Sequence, residues 1–260
     1  MQSWLTLIRP ALLLSLVGLP FFQPATGRTL QACYDMWPPY IYTDAQQKIR
    51  GITADIITEA AKANGYDIRF TYRAYSACRK LVRDGGMDMK LFSSGGEDAD
   101  LAPLHVTTEY WVLAAVVRQD SPHVSYTGID MFRQDKIGLV TDYAYPKVME
   151  PLKGQDPDYA DVIDTSLDRL IKKRIDVAFD DSVWLHDTLR QQQLPLKVLM
   201  PAIAIEPQFT VLARRHKALA AKLDHTLTKI LKSGRIDAIY QQYTGKTFSA
   251  WREQFSTPPH

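Results

Sequence analysis

Residues 52–72 read ITADIITEAAKANGYDIRFTY, and this stretch decides the fold class. Its apolar residues recur every three or four positions, as on one face of a helix, at Ile52, Ile56, Ala60 and Ala63. Gly65 supplies a stop after that helix, and residues 67–72 then have the composition of a strand. The stretch therefore predicts a helix that covers a core and leads directly into a strand.

The same alternation of strands and helices continues on both sides of this stretch. Further strands are predicted at residues 29–34, 87–92, 136–140, 161–163, 175–179 and 209–213. Further helices are predicted at residues 76–83, 145–152, 167–173, 217–232 and 236–243. Strands that alternate with helices form parallel sheets, which bind ligands at the carboxyl ends of their strands. We therefore expect an α/β fold of two lobes, each a mostly parallel sheet flanked by helices, with a ligand cleft between them.

Composition excludes several classes of protein. The chain has 260 residues, of which 46% are hydrophobic and 23% charged, as in ordinary globular proteins. The 31 Lys and Arg residues against 29 Asp and Glu residues give a net charge of +2. Because no long run of one sign occurs, binding to a nucleic-acid backbone is not favoured. We expect no nucleic-acid partner.

Residues 1–27 are predicted to be a secretory signal rather than part of the fold. They contain a single basic residue, an apolar run at residues 11–22 and small residues just before Arg28. The apolar run is too short to span a bilayer. We expect cleavage before Arg28 and location in the periplasm. A lipid anchor at Cys33 is the alternative, but charged and proline residues separate this cysteine from the apolar run.

Cys33 and Cys78 are the only cysteines of the chain. In an oxidising compartment they would form a disulfide, whereas the alternative is two buried thiols that act as small apolar residues. Two cysteines cannot complete a tetrahedral zinc site, and no pair of histidines at helical spacing lies beside an acid. We expect no metal site and no cofactor.

Several short motifs, taken in order, resemble one known family. They are an aromatic-proline turn at residues 37–40, Gly51 before a helix, a Gly-x-Asp sequence at residues 86–88, a strand at residues 174–181 that ends in acids, and a closing helix that follows Gly234 and contains Tyr240. Together they resemble the periplasmic solute-binding proteins of family 3, the polar amino-acid receptor group, over residues 30–247. The resemblance implies a receptor whose two lobes close on a small solute.

The resemblance also implies roles for individual residues. Trp37 and Tyr75 match aromatic residues that stack on the ligand, although core packing is the alternative for both. Asp181 matches the acid that holds the ammonium of an amino acid, and helix capping is its alternative role. Ser93 and Ser94 match residues that donate hydrogen bonds to the ligand, or else they form a turn.

Other expectations follow from the same resemblance. Tyr143 is expected to bind the ligand, and further candidate ligand-binding residues are Tyr40, Arg79, Glu97, Asp142 and Asp180. The elements that carry the two cysteines lie side by side in this fold, which favours the disulfide. We expect residues 28–113 and 206–260 to form the first lobe, and residues 114–205 to form the second.

One departure from the family bears on the ligand. Relatives that bind amino acids keep an Arg about a dozen residues after the Gly-x-Asp motif, because a guanidinium holds an α-carboxylate bidentately. Residues 93–101 read SSGGEDADL and contain no Arg. A glycine-hydroxyl pair of the second lobe is also replaced, at residues 141–145. We therefore expect a cationic, neutral or aromatic solute rather than an ordinary L-amino acid.

The expected function is non-enzymatic capture of a small solute by a monomer, which presents it to the membrane subunits of an ABC transporter. One alternative is an enzyme that resembles periplasmic cyclohexadienyl or arogenate dehydratases. Its general acid would come from Glu97, Asp98, Asp142 or His105. Substrates of those enzymes carry carboxylates, however, so the missing Arg also argues against this alternative. The other alternative is a sensory ligand-binding module for a partner protein.

Overall fold

The computed structural model describes residues 28–94 and 96–256, with the backbone alone for Glu97 and residues 254–256. The predicted signal at residues 1–27 lies outside the described residues. The strands are β1 (Arg28–Tyr34), β2 (Tyr42–Thr43), β3 (Ile49–Arg50), β4 (Tyr66–Tyr72), β5 (Met89–Ser93), β6 (Ala102–Pro103), β7 (Glu109–Arg118), β8 (Ile137–Val140), β9 (Asp158–Ala160), β10 (Val177–Asp181) and β11 (Leu196–Leu212). The helices are α1 (Ile52–Ala63), α2 (Tyr75–Arg83), α3 (Glu150–Lys153), α4 (Ile163–Ile171), α5 (Ser182–Gln192), α6 (Lys217–Lys232), α7 (Arg235–Thr244) and α8 (Phe248–Ser256).

The first lobe is built on the parallel strands β4, β1 and β5. Helix α1 covers this sheet because its apolar face is buried, and it ends where the sequence predicts, before Asn64 and Gly65. Gly65 has a positive φ of 79°, a conformation that glycine adopts without steric cost. Helices α6 and α7 pack on the same core, which includes Leu223, Leu227 and Ile239.

The second lobe is built on the parallel strands β10, β8 and β9. Its sheet buries apolar side chains on both faces, with Phe132 and Phe179 on one side and Leu167 and Leu185 on the other. Both lobes are therefore α/β layers, as the alternation of elements predicts.

Two long antiparallel strands, β7 and β11, connect the lobes. Strand β11 pairs with β7 along residues 196–208 and with β5 from Phe209 onward. Strand β7 also pairs with β10 of the second lobe. The predicted lobe boundaries at 113/114 and 205/206 fall within these two strands, and where each lobe ends stays a prediction.

Some predicted elements differ from the structure. The strand predicted at residues 161–163 is wrong: the strand is Asp158–Ala160, and α4 already begins at Ile163. A run of three residues is too short to show a periodicity that separates strand from helix. Strand β11 is longer than the predicted residues 209–213, because Pro201 and Pro207 within it suggest breaks in a strand.

The predicted disulfide is confirmed. Cys33 in β1 and Cys78 in α2 are bonded, and both residues are buried. Within the described part of the chain, the helices are too short or too polar for a membrane span.

Candidate functional site

A cavity of about 190 Å³ lies between the two lobes. It is lined where strands β1, β5 and β10 end, by Asp35, Ser94 and Asp180 respectively. The carboxyl ends of parallel strands meet at one edge of a sheet, which is why residues far apart in sequence come together here. The cavity is therefore where the fold class leads one to expect a ligand.

Aromatic rings form much of the wall of the cavity. They are Trp37, Tyr72, Tyr75, Phe92, Trp111, Tyr143 and Trp184. The rings contact one another edge to face: the centroids of Trp37 and Phe92 are 4.8 Å apart, and those of Tyr75 and Tyr143 are 5.8 Å apart. Trp37, Tyr75 and Tyr143, which the sequence predicts as ligand-binding residues, thus all line one cavity.

Three carboxyl groups also line the cavity, those of Asp35, Asp164 and Asp180. Burial, together with the neighbouring carboxylates of Asp181 and Asp35, raises the pKa of Asp180 to about 8 against the opposing effect of a backbone hydrogen bond. Burial likewise raises the pKa of Asp35 to about 6. Among the described residues that line the cavity, no Lys or Arg compensates these acids.

Asp35 and Asp180 come from opposite sides of the cavity. Asp35 directly follows β1 of the first lobe, whereas Asp180 belongs to β10 of the second lobe. The negative charge of Asp35 contributes to the raised pKa of Asp180. A cation between the lobes would therefore meet acids from both.

Asp181 does not have the position expected of a ligand-binding residue. It is fully buried, does not line the cavity, and caps α5 by accepting hydrogen bonds from Val183 N at 3.0 Å and Trp184 N at 2.9 Å. Its other carboxylate oxygen accepts a hydrogen bond from Val112 N at 3.0 Å. Backbone N–H groups donate hydrogen bonds to both oxygens of this carboxyl group, so Asp181 has the alternative, capping role. The neighbouring Asp180 lines the cavity instead.

The two serines also have different environments. Ser94 lines the cavity, and its Oγ accepts a hydrogen bond from Gln208 Nε2 at 2.9 Å. Ser93 is fully buried in β5, opposite Phe209 of β11, and does not line the cavity. Successive residues of a strand point to opposite faces, so only one of the pair faces the solute.

Three further predicted residues, Tyr40, Arg79 and Asp142, do not line the cavity. Tyr40 is fully buried in the core of the first lobe, and Asp142 is an exposed residue that lines a separate depression of the second lobe. Arg79 does not line the cavity, and its Nε lies 3.5 Å from the carboxylate of Asp98. The side chain of Glu97 lies outside the described residues.

Several residues of the cavity were not predicted from the sequence. Asp35 and Gln208 line it, as do Trp111 and Trp184. For Asp35 a signal was available, because an acid that directly follows a predicted parallel strand is expected at the ligand-binding edge. Trp111 and Gln208 lie in the long crossing strands, and nothing in the local sequence indicates which of their residues face the cleft.

Comparisons with known proteins agree with this architecture. The model of the bacterial extracellular solute-binding proteins, family 3, matches residues 30–246. No curated protein matches the chain.

Solved structures of several binding proteins have the same fold. A histidine kinase sensor domain with similarity to periplasmic binding proteins is 23% identical, with a TM-score of 0.73 over 85% of this chain and 97% of its own. An ABC uptake transporter substrate-binding protein from Streptococcus pneumoniae with bound histidine is 13% identical, with a TM-score of 0.74 over 86% and 95%. The arginine-, lysine- and histidine-binding protein ArtJ from Geobacillus stearothermophilus is 18% identical, with a TM-score of 0.73 over 85% and 96%.

Proposed function

Because the chain belongs to the bacterial extracellular solute-binding proteins of family 3, we propose that it captures a small organic cation that carries no α-carboxylate. The single observation that carries this proposal is the lining of the cavity between the lobes. Aromatic rings and three carboxyl groups line it, and no Lys or Arg does so among the described residues.

Both kinds of lining residue favour a positive charge. The face of an aromatic ring attracts a cation with about 0.5 to 2 kcal/mol, and the cavity offers Trp37, Tyr75 and Trp111 among its rings. A carboxylate such as that of Asp180 adds a charge-assisted hydrogen bond, worth about 1.5 to 3 kcal/mol. An ammonium or guanidinium group therefore gains from the wall and from the acids at once.

The same lining disfavours an α-carboxylate. Bidentate binding of a carboxylate needs a guanidinium or comparable donors, and such a cation is missing from the described lining. When they are ionised, Asp35, Asp164 and Asp180 would repel a second negative charge. Relatives of this fold carry bound amino acids, including histidine, but we expect this chain to bind the corresponding amines more tightly.

The partner belongs to the same proposal. We propose that residues 1–27 direct the chain to the periplasm, where the monomer delivers its solute to the membrane subunits of an ABC transporter. A sensory role is the second candidate, since one structure of the same fold is the sensor domain of a histidine kinase. In either case the closed, solute-bound form is what the partner would recognise.

Capture without chemical change is preferred over enzymatic activity. The family and its structural relatives are binding proteins. Of the acids and bases considered for catalysis, Asp98 is fully buried in an ion pair, while His105 is exposed and Asp142 does not line the cavity. A solute recovered unchanged after prolonged incubation, by mass spectrometry, would agree with capture.

Matched pairs of solutes test the proposal. Agmatine and arginine differ only by the α-carboxylate, as do cadaverine and lysine, and histamine and histidine. Purified protein is titrated with each by calorimetry and tested by thermal shift, where a ligand at 100 times its Kd adds about 2.7 kcal/mol to stability. We expect each amine to bind at least about tenfold more tightly than its amino acid. Tighter binding of the amino acids would refute the proposal.

A further inference from the structure

A buried cluster of charged side chains lies behind the wall of the cavity. Asp98 is fully buried, and its Oδ2 accepts a hydrogen bond from the ammonium of Lys90 at 2.7 Å, also fully buried. The guanidinium Nε of Arg79 lies 3.5 Å from Oδ1 of the same carboxylate, and Arg83 lies at 4.0 Å. One carboxylate thus faces three cations.

This cluster touches the cavity through two of its lining residues. The Nζ atom of Lys90 lies 4.0 Å from the centroid of the Tyr75 ring and donates a hydrogen bond to the carbonyl oxygen of Phe92 at 2.9 Å. Arg79 lies over the same ring at 5.4 Å. Tyr75 and Phe92 both line the cavity. The ammonium of Lys90 therefore contacts two residues that line the cavity without lining it itself.

The pairing explains why a lysine is tolerated in β5. This strand is buried along its whole length, and an isolated ammonium there would lose its hydration without compensation. Asp98 supplies the opposite charge from the turn at Gly96–Asp98, within the segment where the resemblance leads one to expect an arginine. A cation is therefore present near the cavity, but its charge is already balanced.

We propose that Asp98 is a specificity-determining residue, which offsets part of the positive charge of Lys90 and Arg79 and so disfavours carboxylate-bearing solutes in the cavity. The inference rests on the proposed function in requiring a solute in this cavity. It goes further, since it assigns the selection against carboxylates to a residue that does not line the cavity. Asp98 acts through Lys90, Arg79 and the ring of Tyr75 rather than by contact with the solute.

Removing only the charge of Asp98 would leave uncompensated cations beside the cavity. In Asp98→Asn the amide oxygen still accepts a hydrogen bond from Lys90, but the negative charge is gone. The guanidinium of Arg79, which a guanidinium's chemistry keeps positively charged, then lies near the ring without an opposing carboxylate. The electrostatic potential in the cavity then becomes more positive, which favours a carboxylate.

The experiment compares arginine with agmatine, by calorimetry, on wild-type protein and on Asp98→Asn. The ratio of the two Kd values measures selection against the α-carboxylate. Effects of the substitution on packing that change both Kd values equally do not alter this ratio. We expect the ratio to shift towards arginine by about tenfold or more. In the double variant Arg79→Met/Asp98→Asn, which removes one charge of each sign, we expect a return towards the wild-type ratio.

Asp84→Asn is the matched control. It removes an equal charge at the end of α2, the helix that carries Arg79, where Asp84 pairs with Lys80 on the exposed surface. Its ratio should equal that of the wild type. An unchanged ratio in folded Asp98→Asn, or a shift towards agmatine, would overturn the inference while leaving the proposed function intact.

A second variant covers the case in which Asp98→Asn does not fold. Lys90→Met removes the cation and leaves Asp98 beside Arg79, so the ratio should shift about threefold towards agmatine. No shift in that variant would overturn the inference. If arginine, agmatine and the other solutes fail to bind wild-type protein and every variant, the proposed function fails together with it.

Discussion

At the scale of single residues, the position of a carboxyl group in the fold decides its chemistry. Asp180 and Asp181 are neighbours in β10, yet one lines the cavity while the other caps α5. Both are buried, and burial raises the pKa of each. Asp180 is therefore the acid of this pair that can respond to a solute.

Asp180→Asn should weaken the binding of a cation. Loss of a charge-assisted hydrogen bond is worth about 1.5 to 3 kcal/mol, so the affinity for agmatine should fall roughly tenfold to hundredfold. Because the pKa of Asp180 is raised to about 8, wild-type affinity should rise as the pH increases towards 8 and the group ionises. Calorimetry between pH 6 and 9, where the guanidinium stays charged, measures both effects.

The control for this prediction is Asp187→Asn, which changes an exposed acid of α5 that pairs with Arg190. It should leave both the affinity and its pH dependence unchanged. If Asp180→Asn kept the full rise in affinity between pH 6 and 8, Asp180 would not be the group that titrates.

Glu109 should make the stability of the protein depend on pH. It is fully buried at the start of β7 and accepts hydrogen bonds from the hydroxyls of Thr53 and Thr108. Burial raises its pKa to about 7, above the value of about 4.3 in an unfolded chain. The folded state therefore holds this proton more tightly, and the contribution of Glu109 to stability falls as the pH rises from about 4 to 7.

Glu109→Gln should remove this contribution. At about 1.36 kcal/mol per pKa unit, the loss of stability over this pH range should become smaller by roughly 3 kcal/mol than in the wild type. Denaturant unfolding at pH 5 and pH 8 measures the difference. Glu59→Gln, at an exposed ion pair with Arg235, is the control and should keep the wild-type slope. An equal slope in Glu109→Gln would contradict the prediction.

At the scale of secondary-structure elements, the disulfide joins β1 to α2. Strand β1 leads into Asp35, and α2 begins with Tyr75, so the bond connects two elements that carry cavity residues. Val82 on α2 is buried in a small cluster with Leu101, which also holds the helix in place. The covalent link should therefore contribute more to stability than to the shape of the cavity.

Replacing both cysteines by alanine should lower the free energy of unfolding by about 4 kcal/mol, the amount expected for a closed loop of this length. Denaturant unfolding of the double variant measures the loss. Wild-type protein unfolded in the presence of a reducing agent should show a similar loss. Equal stability with and without the bond would contradict the prediction. The affinity for agmatine should change by less than about threefold when the disulfide is removed.

At the scale of the whole molecule, two strands connect the lobes beside the cavity. Strand β11 pairs with β7 up to Gln208 and with β5 from Phe209 onward. Its register against β5 shifts between Phe209 and Val211. Gln208 itself lines the cavity. An irregular strand segment at this place can absorb the backbone changes of a hinge, so movement of the lobes would open and close the cavity.

Binding of a cation should therefore make the molecule more compact. A compact chain of this length has a radius of gyration of about 17 to 18 Å. Small-angle X-ray scattering with and without saturating agmatine should show a decrease in this radius, because the acids of the two lobes no longer repel each other across the cleft. Arginine at the same concentration is the control. An unchanged radius with bound agmatine would contradict closure around the solute.

The sequence by itself determined the layers of the fold and the region of the site. Helical periodicity, as in α1, and turn residues such as Gly65 depend on neighbours in the chain, so local sequence predicts them. Helices and turns of this kind follow from short-range sterics and from the burial of one apolar face. Trp37, for which the resemblance to the family implies contact with the ligand, lines the cavity.

Only the tertiary structure decided which acids line the cavity and which charged side chains are already paired. Whether Asp180 or Asp181 reaches the cavity depends on the pleat and register of β10 between its neighbours. The partner of Lys90 is Asp98, which comes from a turn beyond the end of its strand. Both outcomes depend on contacts made in three dimensions, and the energy of a buried charge is set by those contacts rather than by adjacent residues.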